Sequence, residues 1–389
     1  MTSPTGEQAI EAAVHHKNAL LKFISANDAG VTGSHQCGFY LPKALWKMYT
    51  FRPPVAGTVE KHWVNVTWQD GRTTKSVVTW YGRGTRSEYR LTRFGRDFPF
   101  LNEDTVGDLL VLIPKTKTEF LAFVLDLEED MEDLQATLGV EVIGTWGAYR
   151  EGHEEYKLET EDECIDRNFR EFAAAVERFP SGTRLSDGAR RALEDCIRDF
   201  ARLPSDDRLV RCVEAEYRLF RLVERRLCES EIIRLFKSVD DFLATASTIM
   251  QRRKSRAGRS LENHVEHILR GCSIPLEVRP KIDGNPDIVI PSKAAYDNGN
   301  YPTRKLFIVG VKTTCKDRWR QVLNEGKRVR KKYILTTQRG ITKGQLDQMH
   351  KAGVTLVVPK GLQREYPTGH EIEMLTIEEF AGMVRERLR

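Results

Sequence analysis

Apolar positions along the chain change their spacing twice, and the changes divide it into three stretches. Near the start they recur at helical intervals, which predicts a helix from about Ile10 to Ser25. Short β-rich runs with turn residues between them follow: Gly57 to Val59, Trp63 to Trp68, Ser76 to Tyr81, Leu109 to Pro114, Glu119 to Leu125 and Glu141 to Gly144. This spacing predicts a small barrel-like β domain with a few helices. Helical periodicity then dominates to about residue 270, through Phe169 to Phe179, Ala189 to Arg202, Arg208 to Arg226 and Glu229 to Phe236. Asp207 and Ser238 have the chemistry of helix N-caps. Ser260 opens a further helix whose Leu261, Val265, Ile268 and Leu269 form one apolar stripe, with Gly271 as its stop.

Beyond Lys281 strands and helices alternate. Ile288 to Ile290 and Leu306 to Val311 read as strands, joined by a loop rich in Pro, Gly and Asn, and Glu325 follows on a helix-like segment. Tyr333 to Thr337 and Thr355 to Val358 read as further strands, with helices at Thr342 to Lys351 and Ile377 to Leu388. The third stretch is therefore expected to be a mixed α/β sheet flanked by helices. From about Gly152 to Arg170 the chain is polar and acidic, as a linker or connecting helix would be. The division is 1–155, a linker at 156–178, and 179–389.

Composition narrows the class. Of 389 residues, 40% are hydrophobic and 30% charged, as in a globular protein with a highly charged surface. No apolar run approaches the roughly 20 residues of a membrane span, and MTSPTGEQAIEAAVHHKNAL lacks a signal peptide's basic start and apolar centre. Seven scattered cysteines without a CxxC pair indicate neither a disulfide framework nor a zinc site, so a reducing cytoplasmic location is expected. A net charge of +5 is modest, but its distribution is uneven. Arg252 to Arg256 and Lys312 to Lys332 are rich in cations, while Asp126 to Asp133 is acidic. Basic patches of this kind suit a polyanionic partner, although many are no more than solvated faces.

Four side chains could carry phosphodiester chemistry: Glu262, Asp287, Lys312 and Glu325. A carboxylate holds a hard divalent cation through oxygen, and a lysine neutralises charge that builds on a phosphate. Pro286-Asp287 followed by a strand ending on Lys312 approaches the PD-(D/E)xK arrangement. The position two before the lysine is Gly310, however, so the strict motif fails; Glu325 can restore the missing carboxylate from the following segment, and Glu262 could supply another from the helix before the sheet. His264 and His267 lack an HExxH pattern, and Cys315 has no histidine partner in sequence, so neither indicates a metal or a nucleophile. Arg83, Arg86, Arg90, Arg93 and Arg96 lie three or four apart among glycines, which favours an arm or strand-loop over a helix. Such guanidinium groups grip phosphate and guanine, or pair with Glu88 and Asp97 as surface salt bridges.

Several separate blocks carry a specific resemblance. RRKSRAGRSLENHVEHIL, PDIVIPSKAAY and VKTTCKDRWRQVLNE resemble the catalytic domain of the EcoRII family of type IIE restriction endonucleases. SANDAGVTGSHQCGFYLP and TRSEYRLTRFGR resemble that family's effector DNA-binding domain. The resemblance implies a B3-like pseudobarrel before a catalytic domain with a PD-(D/E)xK nuclease-like mixed sheet. It implies catalytic roles for Glu262, Asp287, Tyr296, Lys312 and Glu325, with Mg2+ held by Asp287, Glu262 and Glu325. Lys254 and Arg256 fall in the element that reads CC/GG half-sites. His35, Tyr40, Arg86, Glu88 and Arg90 match DNA-contacting loops of the effector domain, while Gly84 and Tyr89 stand where lysines are expected. The implied protein is a homodimer that cuts double-stranded DNA at a CCWGG-like site. Its N-terminal domain would bind a second copy and relieve autoinhibition. A catalytically silent DNA-binding regulator and a structure-specific nuclease are the alternatives.

Overall fold

The computed structural model of the chain describes residues 2–32, 37–83, 87–142, 146–150, 163–197, 199–316 and 318–389. It contains two compact units. The first is Met1–Glu159 with Arg339–Leu346 and Arg364–His370, and the second is Thr160–Gln338 with Asp347–Gln363 and Glu371–Arg389. No helix among the described residues is long and apolar enough to cross a membrane.

The first unit opens with helix α1 (Pro4–His16), capped at Ser3. The helix expected to reach Ser25 stops nine residues earlier. Lys17 turns left-handed (φ 56°) and closes the helix, and Asn18–Phe23 forms strand β1 instead. The NALLKF run suits either state, and tertiary pairing decides. Leu20 and Ile24 bury into one core, while Ala19, Leu21 and Phe23 bury into another. Then come β2 (Phe39–Leu41), α2 (Trp46–Tyr49), β3 (Val59–Trp68), β4 (Thr73–Tyr81), β5 (Glu88–Thr92), β6 (Leu109–Pro114), β7 (Glu119–Leu125), α3 (Glu128–Leu138) and β8 (Gly147–Arg150).

These eight strands make one curled sheet in the order β2-β5-β4-β3-β7-β6-β1-β8. All neighbours are antiparallel except β3 and β7. Trp68, Trp80, Tyr49, Tyr89 and Phe39 fill one side, while α1 and α3 cover β1, β6 and β7 on the other. The strand expected at Glu141 to Gly144 is absent from 141–142, and its remainder lies outside the described residues. The last strand of the unit begins only at Gly147.

The second unit starts with four helices: α4 (Glu163–Ala175), α5 (Gly182–Cys196), α6 (Ser205–Ile233) and α7 (Val239–Gly271). Residues 163–175, expected within the linker, are helical because Ile165, Phe169 and Ala173 pack into a shared core with α5 and α6. The two helices expected across 208–236 are one, since nothing between Arg226 and Glu229 breaks a helix. Asp207 stands in the first turn of α6, whose N-cap is Pro204. Ser238 caps α7 by accepting from the Asp241 amide, and that helix runs through Ser260 without a break. Against the expectation of free thiols throughout, Cys164 on α4 and Cys196 at the end of α5 form a disulfide. Their separation of 32 residues carries no sequence signature, and helix packing brings them together.

After α7 the chain continues with β9 (Glu277–Val278), β10 (Ile288–Ile290), α8 (Lys293–Asp297), β11 (Phe307–Lys312), α9 (Trp319–Val322), β12 (Lys332–Thr336), α10 (Lys343–Lys351, whose first turn falls in the first unit), β13 (Val354–Val357), α11 (Lys360–Gln363), β14 (Met374–Leu375) and α12 (Ile377–Leu388). The strands form a mixed sheet in the order β14-β13-β12-β11-β10-β9. Pairs from β11 to β14 are parallel, and β10 runs antiparallel to β9 and β11. The stripe Leu261, Val265, Ile268 and Leu269 on α7 is buried.

In the first unit, Asp28 is fully buried between β1 and β2. It accepts from the Ser25 amide (2.9 Å), the Ser25 hydroxyl (2.8 Å) and the Tyr40 amide (2.8 Å), and it pairs with Lys22. Removing one partner of a buried pair strands the other charge, which costs about 3–5 kcal/mol. Asp28→Ala should therefore lower the stability of this unit by about that amount in urea unfolding followed by tryptophan fluorescence. A loss below 1 kcal/mol would show that the Lys22–Asp28 pair is not a structural tie.

Candidate active site

The antiparallel pairing of β10 with β11 sets Ile288 opposite Val309. Asp287 therefore stands just before β10, beside the end of β11. Its Oδ2 accepts from the Val311 amide at 2.7 Å and from Lys312 Nζ at 2.7 Å. Both side chains are slightly open, with 17% and 18% of their surface exposed, so this pair lines an accessible edge of the sheet.

The second acid follows from a packing constraint. Gly310 and Lys312 share one face of β11 because strand residues alternate. A Cβ at Gly310 would lie 2.7 Å from Val322 Cγ2, so α9 sits directly on that face. A carboxylate cannot occupy position 310 while Val322 is there. Glu325 is three residues further on, in a turn after α9 rather than within a helix. Two contacts hold that turn. Gly326 donates its amide to the Asp283 carbonyl at 2.8 Å, and a Cβ at Gly284 (φ 77°) would collide with the Asn324 carbonyl. The loop before Asp287 and the turn bearing Glu325 thus meet backbone to backbone. Lys332, itself buried, donates to the carbonyls of Glu325, Gly326 (2.7 Å) and Val329 (2.5 Å). Sequence reasoning missed both Asp283 and Lys332. Each looks like an ordinary surface charge until the turn they tie is known.

Burial pushes the Glu325 carboxyl up from its ordinary value of 4.5 to about 7, with Lys312 opposing and Asp287 reinforcing the shift. Its Oε2 is buried without a hydrogen-bond partner among the described residues. Magnesium is commonly held by one or two carboxylates, with water and substrate phosphate completing its shell. Asp287 beside Lys312, and an orphaned Glu325 oxygen that feels both charges, fit that donor set.

Other expected residues stand apart from this pair. Glu262 is bound by Arg279, whose Nε lies 2.9 Å from its Oε2. Arg279 also donates its amide to the Asp287 carbonyl at 2.8 Å, so it lies between Glu262 and the site. No three His, Cys, Asp or Glu side chains among the described residues are grouped closely enough to hold a metal ion. Tyr296 is nearly buried, and its hydroxyl donates to Asp283 Oδ1 at 2.6 Å and accepts from the Arg328 amide at 3.2 Å. Tyr296 therefore braces the Asp283 loop and makes no hydrogen bond to Asp287 or Lys312.

Of the expected DNA contacts, His35 and Arg86 lie outside the described residues. Tyr40, Glu88 and Arg90 come together on β2 and β5, where Tyr40 is paired in register with Arg90. Arg90 Nε donates to Glu88 Oε1 at 3.0 Å, and only 6% of Arg90 is exposed. Lys254 is exposed on α7. Arg256 is not at the surface, in contrast to the base-reading position implied by the resemblance. It is 6% exposed and stacks on Tyr217 and Phe220, 5.2 and 5.3 Å from their ring centroids, because the buried face of α7 continues through it. His264, also considered as a metal ligand, is fully buried 2.9 Å from Glu216 Oε2.

The raised Glu325 pKa has a consequence for stability. The fold favours the protonated carboxyl, so its contribution is fully present below pH 4.5 and is lost as pH rises through about 7. Without divalent cation, urea-unfolding stability should decline across that window, and Glu325→Gln should flatten the decline. Identical pH profiles for the two proteins would show that Glu325 is not held in a desolvated position.

Residues 13–146 match the family model for the restriction endonuclease EcoRII N-terminal domain, and residues 220–381 match that for the EcoRII C-terminal domain. The chain is 30% identical over 389 residues to the type II restriction enzyme EcoRII of Escherichia coli, with 95% of each protein covered. It is 28% identical over 127 residues to the type II restriction enzyme SsoII of Shigella sonnei, covering 30% of this chain and 40% of that protein. Among solved structures it is similar to metal-depleted Ecl18kI in complex with uncleaved, modified DNA, at 19% identity and a TM-score of 0.45. That match covers 58% of this chain and 84% of the other. The PspGI–substrate DNA complex matches at 16% identity and a TM-score of 0.45, over 54% and 93% of the two chains. With both domain models matched in order and the full-length likeness to EcoRII, the chain belongs to the EcoRII family of type II restriction endonucleases.

Proposed function

We propose that this restriction endonuclease cuts double-stranded DNA at a CCWGG-like site, using Asp287, Lys312 and Glu325 with Mg2+. The observation that carries the reading is Lys312 set against Asp287 at 2.7 Å with the buried Glu325 carboxylate charge-coupled to both. Asp287 and Glu325 would hold the cation, which lowers the pKa of bound water and neutralises phosphate charge when present. Lys312 directs its ammonium at the phosphate, where negative charge grows in the transition state. The Val311 amide fixes the Asp287 carboxylate in orientation. Glu262 acts through Arg279, and Tyr296 through Asp283, as positioning residues.

A pseudo-palindromic site matches a twofold assembly, so the active form is a homodimer in the cytoplasm, where its DNA substrate lies. The first unit binds a second copy of the site through Tyr40, Glu88 and Arg90, with His35 and Arg86 from the adjoining loops. Occupancy there relieves inhibition of cutting, a coupling between two DNA sites. Lys254 joins the base-reading element of the second unit. Arg256 would have to leave its stack on Tyr217 and Phe220 to take part.

Lys312→Ala should reduce Mg2+-dependent cutting of a CCWGG plasmid by at least about 1,000-fold, as expected for loss of an electrostatic stabiliser. Gel-shift affinity for the same DNA should change little. Retained cutting, or equal loss of binding, would contradict the assigned role, and binding without cutting by the parent would favour a regulator. Removing residues through 150, ahead of α4, should release cleavage of single-site DNA. An inert truncated protein that remains folded by circular dichroism would contradict autoinhibition.

A further inference from the structure

The outward side of the first sheet carries cations that the Tyr40–Glu88–Arg90 cluster does not use. Register places Lys61, Thr79, Arg90 and Tyr40 in one row across β3, β4, β5 and β2. Trp63, Val77 and Thr92 form the next row. Directly opposed residues on antiparallel strands face the same side, and rows two residues apart are separated by about 7 Å. The row beside Tyr40 therefore runs through the buried Arg90 and Thr79 and emerges at the exposed Lys61 on β3.

Trp63 is 49% exposed there, unusual for so large an apolar side chain. Two cations flank its ring. Lys75 Nζ lies 5.5 Å from the centroid and the Arg93 guanidinium carbon 5.3 Å from it. Arg93 would face the core if β5 continued, since it follows Thr92 in the alternation. Instead its backbone turns left-handed (φ 68°), a conformation uncommon outside glycine, and its side chain reaches the outer face over Trp63. Lys61, Lys75 and Arg93 have no ion-pair partner among the described residues. Glu119, in register with Asn65 on β7, closes the patch at its far end.

We propose that Trp63, Lys61, Lys75 and Arg93 form a contact for the sugar-phosphate backbone of duplex DNA, flanking the row of Tyr40 and Arg90. The proposal rests on reading the first unit as the effector DNA-binding domain. The ring holds both cations by cation–π attraction and offers its face to the sugar edge, while the free charges take phosphates. Phosphates are alike at every base pair, so the patch adds affinity without sequence preference.

The test uses full-length protein in EDTA, with one duplex carrying a CCWGG site and one lacking it, titrated between 50 and 200 mM salt. For the double variant Lys75→Ala, Arg93→Ala, the slope of log K against log salt should become shallower by about 2, near 0.9 per lost contact. Binding to both duplexes should weaken by the same factor, on the order of 10-fold, and Arg93→Lys should keep the parental slope. Unchanged slopes, or a loss confined to the site-bearing duplex, would overturn the proposal. Lys61→Ala alone should remove about one unit of slope, which covers the case in which the double variant is unstable. Arg90→Ala separates the two readings. If it weakens site binding while the patch variants are silent, only the patch fails. If both are silent, the effector reading fails with it.

Discussion

The geometry of the second unit depends on one steric fact: Val322 occupies the space above Gly310. A carboxylate two residues before the lysine would be the shortest route to a two-acid site on β11, and this contact closes it. The acid must then arrive from outside the strand. The turn that carries Glu325 is held where the 324–326 segment meets the 283–284 loop backbone to backbone, at Gly284 and through the Gly326 amide, and the Glu325 carboxyl there feels the charges of Lys312 and Asp287. Lys332 gathers the carbonyls of that turn from below. Thus a glycine on the strand and a buried lysine on its neighbour determine where a negative charge can stand.

Behind the sheet, a buried polar cluster fixes the helices. Ser186 on α5 donates to Glu216 on α6 at 2.6 Å and accepts from Asn263 on α7 at 3.0 Å. His264 lies between Glu216 and Arg190, and burial lowers its pKa below the ordinary range. Glu216 Oε1 is left buried without a hydrogen-bond partner among the described residues, so the cluster is only partly satisfied. It ties α7 to α5 and α6 one and two residues beyond Glu262, which pairs with Arg279. His264, which no HExxH pattern marked as a ligand, is part of this scaffold.

Much of the second unit was legible because its signals are local. The strand ending on Lys312, the acid after Pro286, the apolar stripe on α7 and the cap at Ser238 all follow from periodicity and capping chemistry. In the first unit β6 and β7 fall on their expected boundaries for the same reason. What could not be read depends on distant partners. NALLKF is strand rather than helix because β6 and β8 pair with it. Residues 163–175 form a helix that packs on α5 and α6 through Phe169, a burial their polar, acidic composition did not show. Arg256 looked like a surface cation beside Lys254, yet helical rotation turns it inward onto two rings. Cys164 and Cys196 gave no spacing signal at all.

The central claim is that Asp287 and Glu325 work as one unit around Lys312. A double-mutant cycle on single-turnover cleavage tests it most directly, using Asp287→Asn, Glu325→Gln and the combination at saturating Mg2+. Residues that share one function are strongly non-additive. The account predicts that each single change removes most of the rate and that the double variant is no slower than the worse single by more than a few-fold. Multiplicative losses, or a Glu325→Gln enzyme that cuts at the parental rate, would contradict it.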